Sequence, residues 1–190
     1  DELGAPVDEV FAEFNWDPLA AASLGQVHCA RLHGGQQVVV KIQRPGIANS
    51  VNRDLDVLDE LATMVEQRTT WGADYHVSDL ADAHLLALEA IAANLDDDSD
   101  VRIPVVFRDL TTRRVLVMEW MDGVSVRETD EIDGLGVDRR ELAEDLLRTM
   151  LRQMLIDAQY HADPHPGNVM VLRDGRLALI DFGAASRIDP

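Results

Sequence analysis

Apolar side chains recur along this chain at two spacings, and each spacing predicts one kind of element. Short runs with alternating or continuous apolar positions predict strands within 17–43, 103–107, 115–120, 169–172 and 177–180. Steps of three and four residues predict helices over 47–65, over 78–95 and from Asp138 onward. In the last of these helices, we expect the core-facing side chains to be Leu142, Leu146, Met150 and Met154.

Two tight turns predict which strands pair with one another. Gly34-Gly35 separates Val27–Leu32 from Val38–Gln43, and a glycine pair between two apolar runs is typical of a β-hairpin. Arg173–Arg176 separates the last two predicted strands in the same way. Because a hairpin returns the chain to its starting edge, the residues that flank this second hairpin are expected to lie at one end of it.

The order of these elements indicates the fold class. Strands come first and return at residues 103–120, whereas the later part of the chain opens with a long helix. This order predicts an α+β protein with a sheet-rich N-lobe over residues 1–120 and a helical, partial C-lobe over residues 121–190. The linker between the lobes is expected near Glu119–Gly123, where the second pair of strands ends.

Composition narrows the classes of function. The chain has 190 residues, 46% of them apolar, which is enough for one core or two small ones. A formal net charge of −18 repels nucleic acid and anionic lipid at long range, so we expect no nucleic-acid partner. The single cysteine, Cys29, excludes an internal disulfide and a cysteine-built zinc site. No apolar run reaches the ~20 residues of a bilayer span, so we expect a cytoplasmic protein, with peripheral membrane contact left open.

Two features of the N-terminal strands suggest phosphate binding. Lys41 ends the apolar run Val38–Val40, and a partner is expected because an unpaired ammonium in a buried strand is costly. The glycine loop that covers nucleotide phosphates in kinases reads G-x-G-x-x-G-x-V. Residues 20–27 keep its third glycine and its valine but have alanine at the first two glycine positions. Alanine adopts positive φ only at a cost, so this loop should be stiffer than a glycine loop.

The C-terminal part carries two further motifs in kinase order. His161–Asn168 matches the spacing of the catalytic loop H-R-D-x-x-x-x-N, in which the aspartate orients the acceptor and the asparagine holds magnesium. Asp181-Phe182-Gly183 reads as the magnesium-binding D-F-G and begins eighteen positions after Asp163. The predicted hairpin between the two motifs would bring Asn168 and Asp181 to one site.

Each motif also has a simpler interpretation. The lysine could reach water at a strand end, the alanine run could be a small-residue turn, and D-F-G could be an ordinary turn. His161, Asp163 and His165 could form a metal triad on a strand. Pro164 and Pro166 disfavour that triad because they indicate an irregular loop. All four motifs in kinase order, with matching elements between them, favour a kinase-like nucleotide site.

The chain resembles the UbiB/AarF family of atypical kinases, to which the mitochondrial coenzyme-Q-supporting kinases belong. The resemblance covers most of residues 14–185 and is most specific in the alanine loop joined to Lys-x-Gln-Arg-Pro-Gly. The matching segments are Pro18–His28, Val40–Gly46, Leu110–Trp120 and His161–Asn168. The resemblance implies a protein-kinase-like fold of two lobes.

The resemblance also implies a role for each motif residue. Asp163 would be the catalytic aspartate, and Lys41 the lysine that contacts the nucleotide during catalysis. Asn168 and Asp181 would bind Mg²⁺. Glu89, on the 78–95 helix, is the candidate partner of the lysine. The remaining nucleotide contacts would come from Ala20, Ala21, Ala22, Ser23, Gly25, Val27 and, at the adenine ring, Glu119 and Met121.

Three departures from the family pattern limit this transfer. Family members carry an N-terminal helical extension with a Lys-x-Gly-Gln motif, which these residues lack. They also carry Glu-x-Asp and Glu-Ala-x-x-Asn motifs, and only residues 88–94 are similar to these here. The residues end just after D-F-G, before the helices that complete a kinase C-lobe. On the sequence alone, we expect a chain truncated at both ends.

The sequence favours an enzyme, an atypical kinase or ATPase that uses ATP or ADP with Mg²⁺ and has an unknown phosphate acceptor. The resemblance implies a role in quinone metabolism, ubiquinone biosynthesis in particular, or in lipid metabolism, with a lipid or quinone precursor as a further ligand. Two alternatives stay open. One is a nucleotide-binding pseudokinase, and the other is a small-molecule phosphotransferase of the aminoglycoside or choline type, a class that lacks the alanine loop and Gln-Arg-Pro-Gly.

Overall fold

The computed structural model describes most of the two regions that carry the motifs. The described residues are 2–22, 25–43, 88–95, 100–181 and 185–188. The helix predicted over 47–65 and the first part of the helix predicted over 78–95 lie outside these residues.

The chain divides into two compact units. The first combines Asp1–Ala81 with Phe107–Val117, and the second combines Asp82–Val106 with Met118–Pro190. A boundary at residue 120, as the order of elements suggests, stays a prediction.

The secondary structure follows the predicted order. The helices are α1 Val7–Val10, α2 at residues 88–93, α3 Thr129–Leu135 and α4 Arg139–Leu155, and a 3₁₀ turn spans Arg108–Leu110. The strands are β1 Phe11–Phe14, β2 Ala20–Ala22, β3 Gly25–Leu32, β4 Gln37–Gln43, β5 Val101–Arg102, β6 Val115–Glu119, β7 Gly123–Ser125, β8 Gln159–His161, β9 Val169–Leu172, β10 Leu177–Leu179 and β11 Ala185–Arg187.

The first unit is built around strand β3. Its sheet has the order β1-β3-β4-β6, and β2 also pairs with β3. The predicted hairpin is confirmed, because β3 and β4 pair antiparallel across a turn in which Gly35 has φ 89°. The apolar faces of these strands meet in one core. Its buried members are Phe11, Ala30, Val38, Val40, Val115 and Val117.

The alanine run is a strand rather than a turn. Ala20, Ala21 and Ala22 pair antiparallel with Val27, Gln26 and Gly25 of β3. Among the described residues other than glycine, only Ala158 has positive φ, so the alanines keep the negative φ that was expected of them. Gly25 is required by close packing, since a Cβ atom at that position would collide with the backbone carbonyl of Ile42.

The second unit contains a sheet with the order β5-β10-β9-β7 and a separate pairing of β8 with β11. The second predicted hairpin is confirmed, because β9 and β10 pair antiparallel and Gly175 in their turn has φ 88°. One core lies on this sheet. Its buried members are Leu88, Ile91, Val101, Ile132, Val169, Val171, Leu177 and Leu179.

Helix α4 begins as predicted, because the Asp138 side chain caps it by accepting a hydrogen bond from the Arg140 N–H. Leu142, Leu146 and Met150 pack against the core, also as predicted.

Met154 is a correction, since 43% of it is exposed. At 3.6 residues per turn, repeated steps of four drift off the buried face, and the step of three to Gln153 returns to it. Gln153 is only 2% exposed and takes the position expected of Met154.

The apolar segment 103–107 is a second correction, because it does not form a regular strand. Val106 makes only an isolated bridge with Met118. Pro104 has no N–H to give to a ladder, which is one physical reason for the interruption. The backbone of this segment is bonded instead at single points, such as the Glu119 N–H donated to the Val105 carbonyl at 2.8 Å.

Candidate active site

The loop between β8 and β9 carries the predicted catalytic residues, and it starts from a buried anchor. His161 ends β8 and is 2% exposed. Its backbone N–H donates to Oε1 of Gln153 on α4 at 3.1 Å. A buried backbone donor must find a partner, and the inward-facing glutamine supplies one. Sequence reasoning missed Gln153, although a polar residue on the apolar face of a helix was a signal that could have found it.

Asp163 is held through its backbone on both sides. Its N–H donates to Nδ1 of His161, and its carbonyl accepts from Nδ2 of Asn168, each at 3.1 Å. Its side chain is 53% exposed, and one carboxylate oxygen lies 3.8 Å from Nε2 of His165. The carboxylate is therefore presented to solvent by a backbone whose position does not depend on that carboxylate.

The rest of the loop is compact as well. Nδ1 of His165 accepts the Gly167 N–H at 2.8 Å, and the His165 carbonyl accepts the Asn168 N–H at 2.8 Å. The Ser125 hydroxyl of β7 donates to the Pro166 carbonyl at 3.2 Å. The irregular loop expected from the two prolines is thus fixed by hydrogen bonds to its own residues and to a neighbouring strand.

The β9/β10 hairpin brings the ends of the two C-terminal motifs together. Val169 pairs with Leu179, and the Ile180 N–H donates to the Asn168 carbonyl at 3.0 Å. Asp181 follows Ile180 directly, so Asn168 and Asp181 lie at the same open end of the hairpin. Asn168 donates through Nδ2 to the loop, an orientation that leaves Oδ1 as the side-chain atom with which it could bind a metal ion. Phe182 and Gly183 lie outside the described residues.

Burial changes the protonation equilibrium of His161, the buried histidine of the loop. Burial lowers the pKa of the His161 imidazole and outweighs the opposing effect of the Asp181 and Asp163 carboxylates and of a hydrogen bond with the Asp181 backbone. The ring is accordingly neutral near pH 7. A neutral ring can accept the Asp163 N–H at Nδ1, whereas a protonated one has donors only.

In the first unit, two of the predicted nucleotide-contacting residues are brought side by side. Lys41 of β4 and Val27 of β3 are directly paired across the hairpin. The alanines of β2 lie along the other edge of β3, where Ala22 pairs with Gly25, while Ser23 lies outside the described residues. Lys41 belongs to the first unit and Glu89 of α2 to the second, and their pairing stays a prediction.

The predicted adenine-contacting residues lie in the segment predicted to be the linker, which belongs to the second unit. Glu119 ends β6, and its carboxylate is bonded to Arg102, an interaction that sequence reasoning did not anticipate. Met121 is buried and packs with Leu172 and Ala178. Its side chain thus faces the core, and only its backbone could meet a base.

Two features are absent from the part of the chain that the structure describes. The described His, Cys, Asp and Glu side chains form no group of three or more that could hold a metal ion. None of the described helices is long and apolar enough to cross a membrane. Magnesium in phosphate sites is commonly held by one or two protein ligands together with the phosphates, and Asn168 with Asp181 fits that pattern.

Comparison with known protein families identifies the family of this chain. The profile of the ABC1 atypical kinase-like domain matches residues 1–190. The chain belongs to this family. This ABC1 domain is 37% identical over 99% of its length to the probable protein kinase UbiB of Marinobacter nauticus, of which it spans 38%. It is 36% identical over its full length to the chloroplastic protein ACTIVITY OF BC1 COMPLEX KINASE 8 of Arabidopsis thaliana, of which it spans 27%. The resemblance to the UbiB/AarF kinases is confirmed.

Solved structures confirm the kinase-like fold. The ABC1 domain superposes with a TM-score of 0.71 and 30% identity on the Rv3197–erythromycin complex of Mycobacterium tuberculosis, covering 98% of its own length and 49% of that chain. It superposes with a TM-score of 0.59 and 16% identity on the Rio2 kinase–ADP/Mg²⁺–phosphoaspartate complex of Chaetomium thermophilum, covering 95% of itself and 50% of that chain. At 16% identity the second match shows the fold alone.

Proposed function

We propose that this ABC1 domain binds ATP or ADP with Mg²⁺ and works as an atypical kinase or ATPase. The observation that supports the proposal most strongly is the common end of the β9/β10 hairpin. Asn168 and Asp181 lie there, and Asn168 is hydrogen-bonded to Asp163. A carboxylate and an amide oxygen at one point, beside a second exposed carboxylate, are the groups that phosphoryl transfer requires.

In this proposal, each residue has a separate task. Asn168 and Asp181 would hold Mg²⁺, which when bound neutralises charge on the phosphate oxygens. Asp163 would orient the acceptor hydroxyl or water and accept its proton. Lys41 would contact the phosphates. The β2 alanines, Ser23, Gly25 and Val27 would line the nucleotide, with Glu119 and Met121 contacting adenine through their backbone.

The role of Asp181 can be tested by ligand-induced stabilisation. Addition of ATP or ADP with magnesium should raise the melting temperature of the wild type, and Asp181→Asn should abolish most of that rise. The matched control is Asp174→Asn, which removes an aspartate from the turn at the other end of the same hairpin and should keep the rise. Equal stabilisation of wild type and Asp181→Asn would contradict the assignment.

Pairing of Lys41 with Glu89 forms part of the same proposal. A strand lysine is expected to need a carboxylate partner. If the two side chains act together, Lys41→Met and Glu89→Gln should each weaken nucleotide binding, and the double variant should be no weaker than Lys41→Met alone. Additive losses in nucleotide affinity would show that the two residues act separately.

The role in quinone or lipid metabolism rests on family resemblance, and the phosphate acceptor is open. Nucleotide turnover by the purified protein, measured with and without a quinone-precursor mimic or lipid vesicles, would address both. Stimulation that is lost in Asp163→Asn supports the proposal. Nucleotide binding with no turnover under any condition would favour the pseudokinase alternative.

A further inference from the structure

One ion pair in the second unit joins Glu119, at the start of the predicted linker, to Arg102 of strand β5. Nη2 of Arg102 lies 3.0 Å and 3.3 Å from the two carboxylate oxygens of Glu119. The same carboxylate accepts the Val105 N–H at 3.3 Å. The two charged side chains are 35% and 29% exposed, so solvent screens this pair less than an ordinary surface pair.

The backbone strengthens the same attachment. The Glu119 N–H donates to the Val105 carbonyl at 2.8 Å, so Glu119 is bonded to this segment through both backbone and side chain. Arg102 itself lies on β5, which pairs parallel with β10 of the hairpin that precedes Asp181. The ion pair therefore connects the start of the predicted linker to β5, and β5 is in turn paired with β10, the strand that precedes Asp181.

We propose that Arg102 is a positioning residue for nucleotide recognition. It does not touch the nucleotide. It holds the Glu119 side chain and thereby sets the direction of the backbone from Glu119 to Met121, which contacts adenine in the proposed function. The inference rests on that function and deepens it.

The physical reason lies in how a base is recognised through backbone groups. Polar groups that fix a ligand's orientation work only within about 0.5 Å and 10–20° of the productive geometry. The Glu119 carboxylate is held by two separate donors, Nη2 of Arg102 and the Val105 N–H, and two donors restrict its direction as well as its distance. Loss of Arg102 should therefore impair discrimination between bases more than it impairs binding of the phosphates.

The experiment compares affinities for Mg-ATP and Mg-GTP in Arg102→Gln, Arg102→Lys and the wild type. We expect Arg102→Gln to lose about tenfold in affinity for ATP, with GTP affinity within about twofold of the wild type, so that the ATP preference collapses. Arg102→Lys should retain part of the preference. The matched control is Arg173→Gln, whose partner Asp122 follows Glu119 by three positions. Both side chains of this pair are 65% exposed, so Arg173→Gln should behave as the wild type.

The outcomes separate this inference from the proposed function. If the wild type binds neither nucleotide, the proposed function fails and the inference fails with it. If the wild type binds and Arg102→Gln keeps its ATP to GTP ratio, the inference alone is overturned, even where Arg102→Gln lowers the melting temperature. Should Arg102→Gln not fold, Glu119→Gln gives the same test, since it keeps the shape of the side chain and removes the charge. An unchanged ratio in Glu119→Gln would overturn the inference equally.

Discussion

The alanine strand of the first unit, residues 20–22, and the predicted catalytic loop of the second unit, residues 161–168, both have roles in the proposed phosphoryl transfer. They are held in place by different kinds of interaction. Residues 20–22 are held by backbone pairing with β3, and the side chains of Ala20 and Ala21 are exposed. Residues 161–168 are held largely by side-chain hydrogen bonds of His161, His165 and Asn168, and the buried Gln153 accepts the His161 N–H.

The difference shows which changes each region should tolerate. Backbone pairing needs only residues that can adopt extended conformations, so several side chains would serve at β2. A hydrogen-bonded polar cluster needs particular donors and acceptors, and one loss leaves a buried group without its partner. Substitutions should therefore have larger effects in the catalytic loop than in the alanine strand.

The largest effect is expected at Asp163. Asp163→Asn keeps the backbone hydrogen bonds that position the residue but removes the carboxylate that accepts a proton. Turnover should fall by about 10² or more, with nucleotide affinity within about threefold of the wild type. Single-turnover assays and equilibrium binding measure the two quantities, with Asp174→Asn as the control. Turnover at the wild-type rate would assign the activity to another group.

The second effect concerns stability and compares two glutamines. Gln153→Leu removes the acceptor of the buried His161 N–H and should lower the free energy of unfolding by about 1–3 kcal/mol. Gln26→Leu, on the exposed side of β3 opposite the alanine strand, should change it by no more than about 0.5 kcal/mol. Urea denaturation of both variants gives the comparison. Equal losses in the free energy of unfolding would contradict the expectation that the 161–168 loop is more sensitive to substitution than the alanine strand.

The third effect is a pH dependence that belongs to the catalytic loop. Burial lowers the pKa of folded His161 below its ordinary value near 6.5, so the unfolded chain takes up the proton first as the pH falls. The contribution of His161 is complete above pH ~6.5 and is lost progressively below it. His161→Asn should flatten the stability profile between about pH 5 and 7 in magnesium-free buffer. His33→Asn, an exposed histidine of the first unit, should leave the profile unchanged. A wild-type profile without this slope would refute the assignment.

The smallest effect is expected in the alanine strand. Ala20→Gly widens the accessible backbone conformations at a position that is now extended, and it should change nucleotide preference or raise autophosphorylation by somewhat more than twofold. Ala12→Gly, at an exposed position of β1, carries the same backbone cost outside the alanine strand and should change neither quantity. If Ala20→Gly also stays within about twofold, the alanines merely pack and do not restrain transfer.

The sequence by itself determined the elements whose physics is local. The turns at Gly34-Gly35 and Arg173–Arg176 and the helix start near Asp138 depend on neighbouring residues only, and all three agree with the structure. The order and spacing of the motifs likewise predicted a kinase-like nucleotide site, because those distances are set along the chain. The family was suggested by the resemblance of the alanine loop joined to Lys-x-Gln-Arg-Pro-Gly, and the family profile confirms it. The turn at Arg173–Arg176 also predicted that the hairpin brings Asn168 and Asp181 to one end, and the strand pairing agrees.

Only the tertiary structure decided the features that depend on elements far apart in sequence. Helix geometry puts Gln153 rather than Met154 on the buried face of α4, but only the packed unit brings the His161 N–H within reach of its side chain. Arg102 meets Glu119 because the segment that follows β5 is hydrogen-bonded to Glu119 through Val105, an arrangement with no signal in either segment. Burial, which lowers the pKa of His161, is likewise a property of the packed unit. Such partners depend on the folded environment and not on local pattern, because a polar group without a partner costs free energy only once folding has buried it.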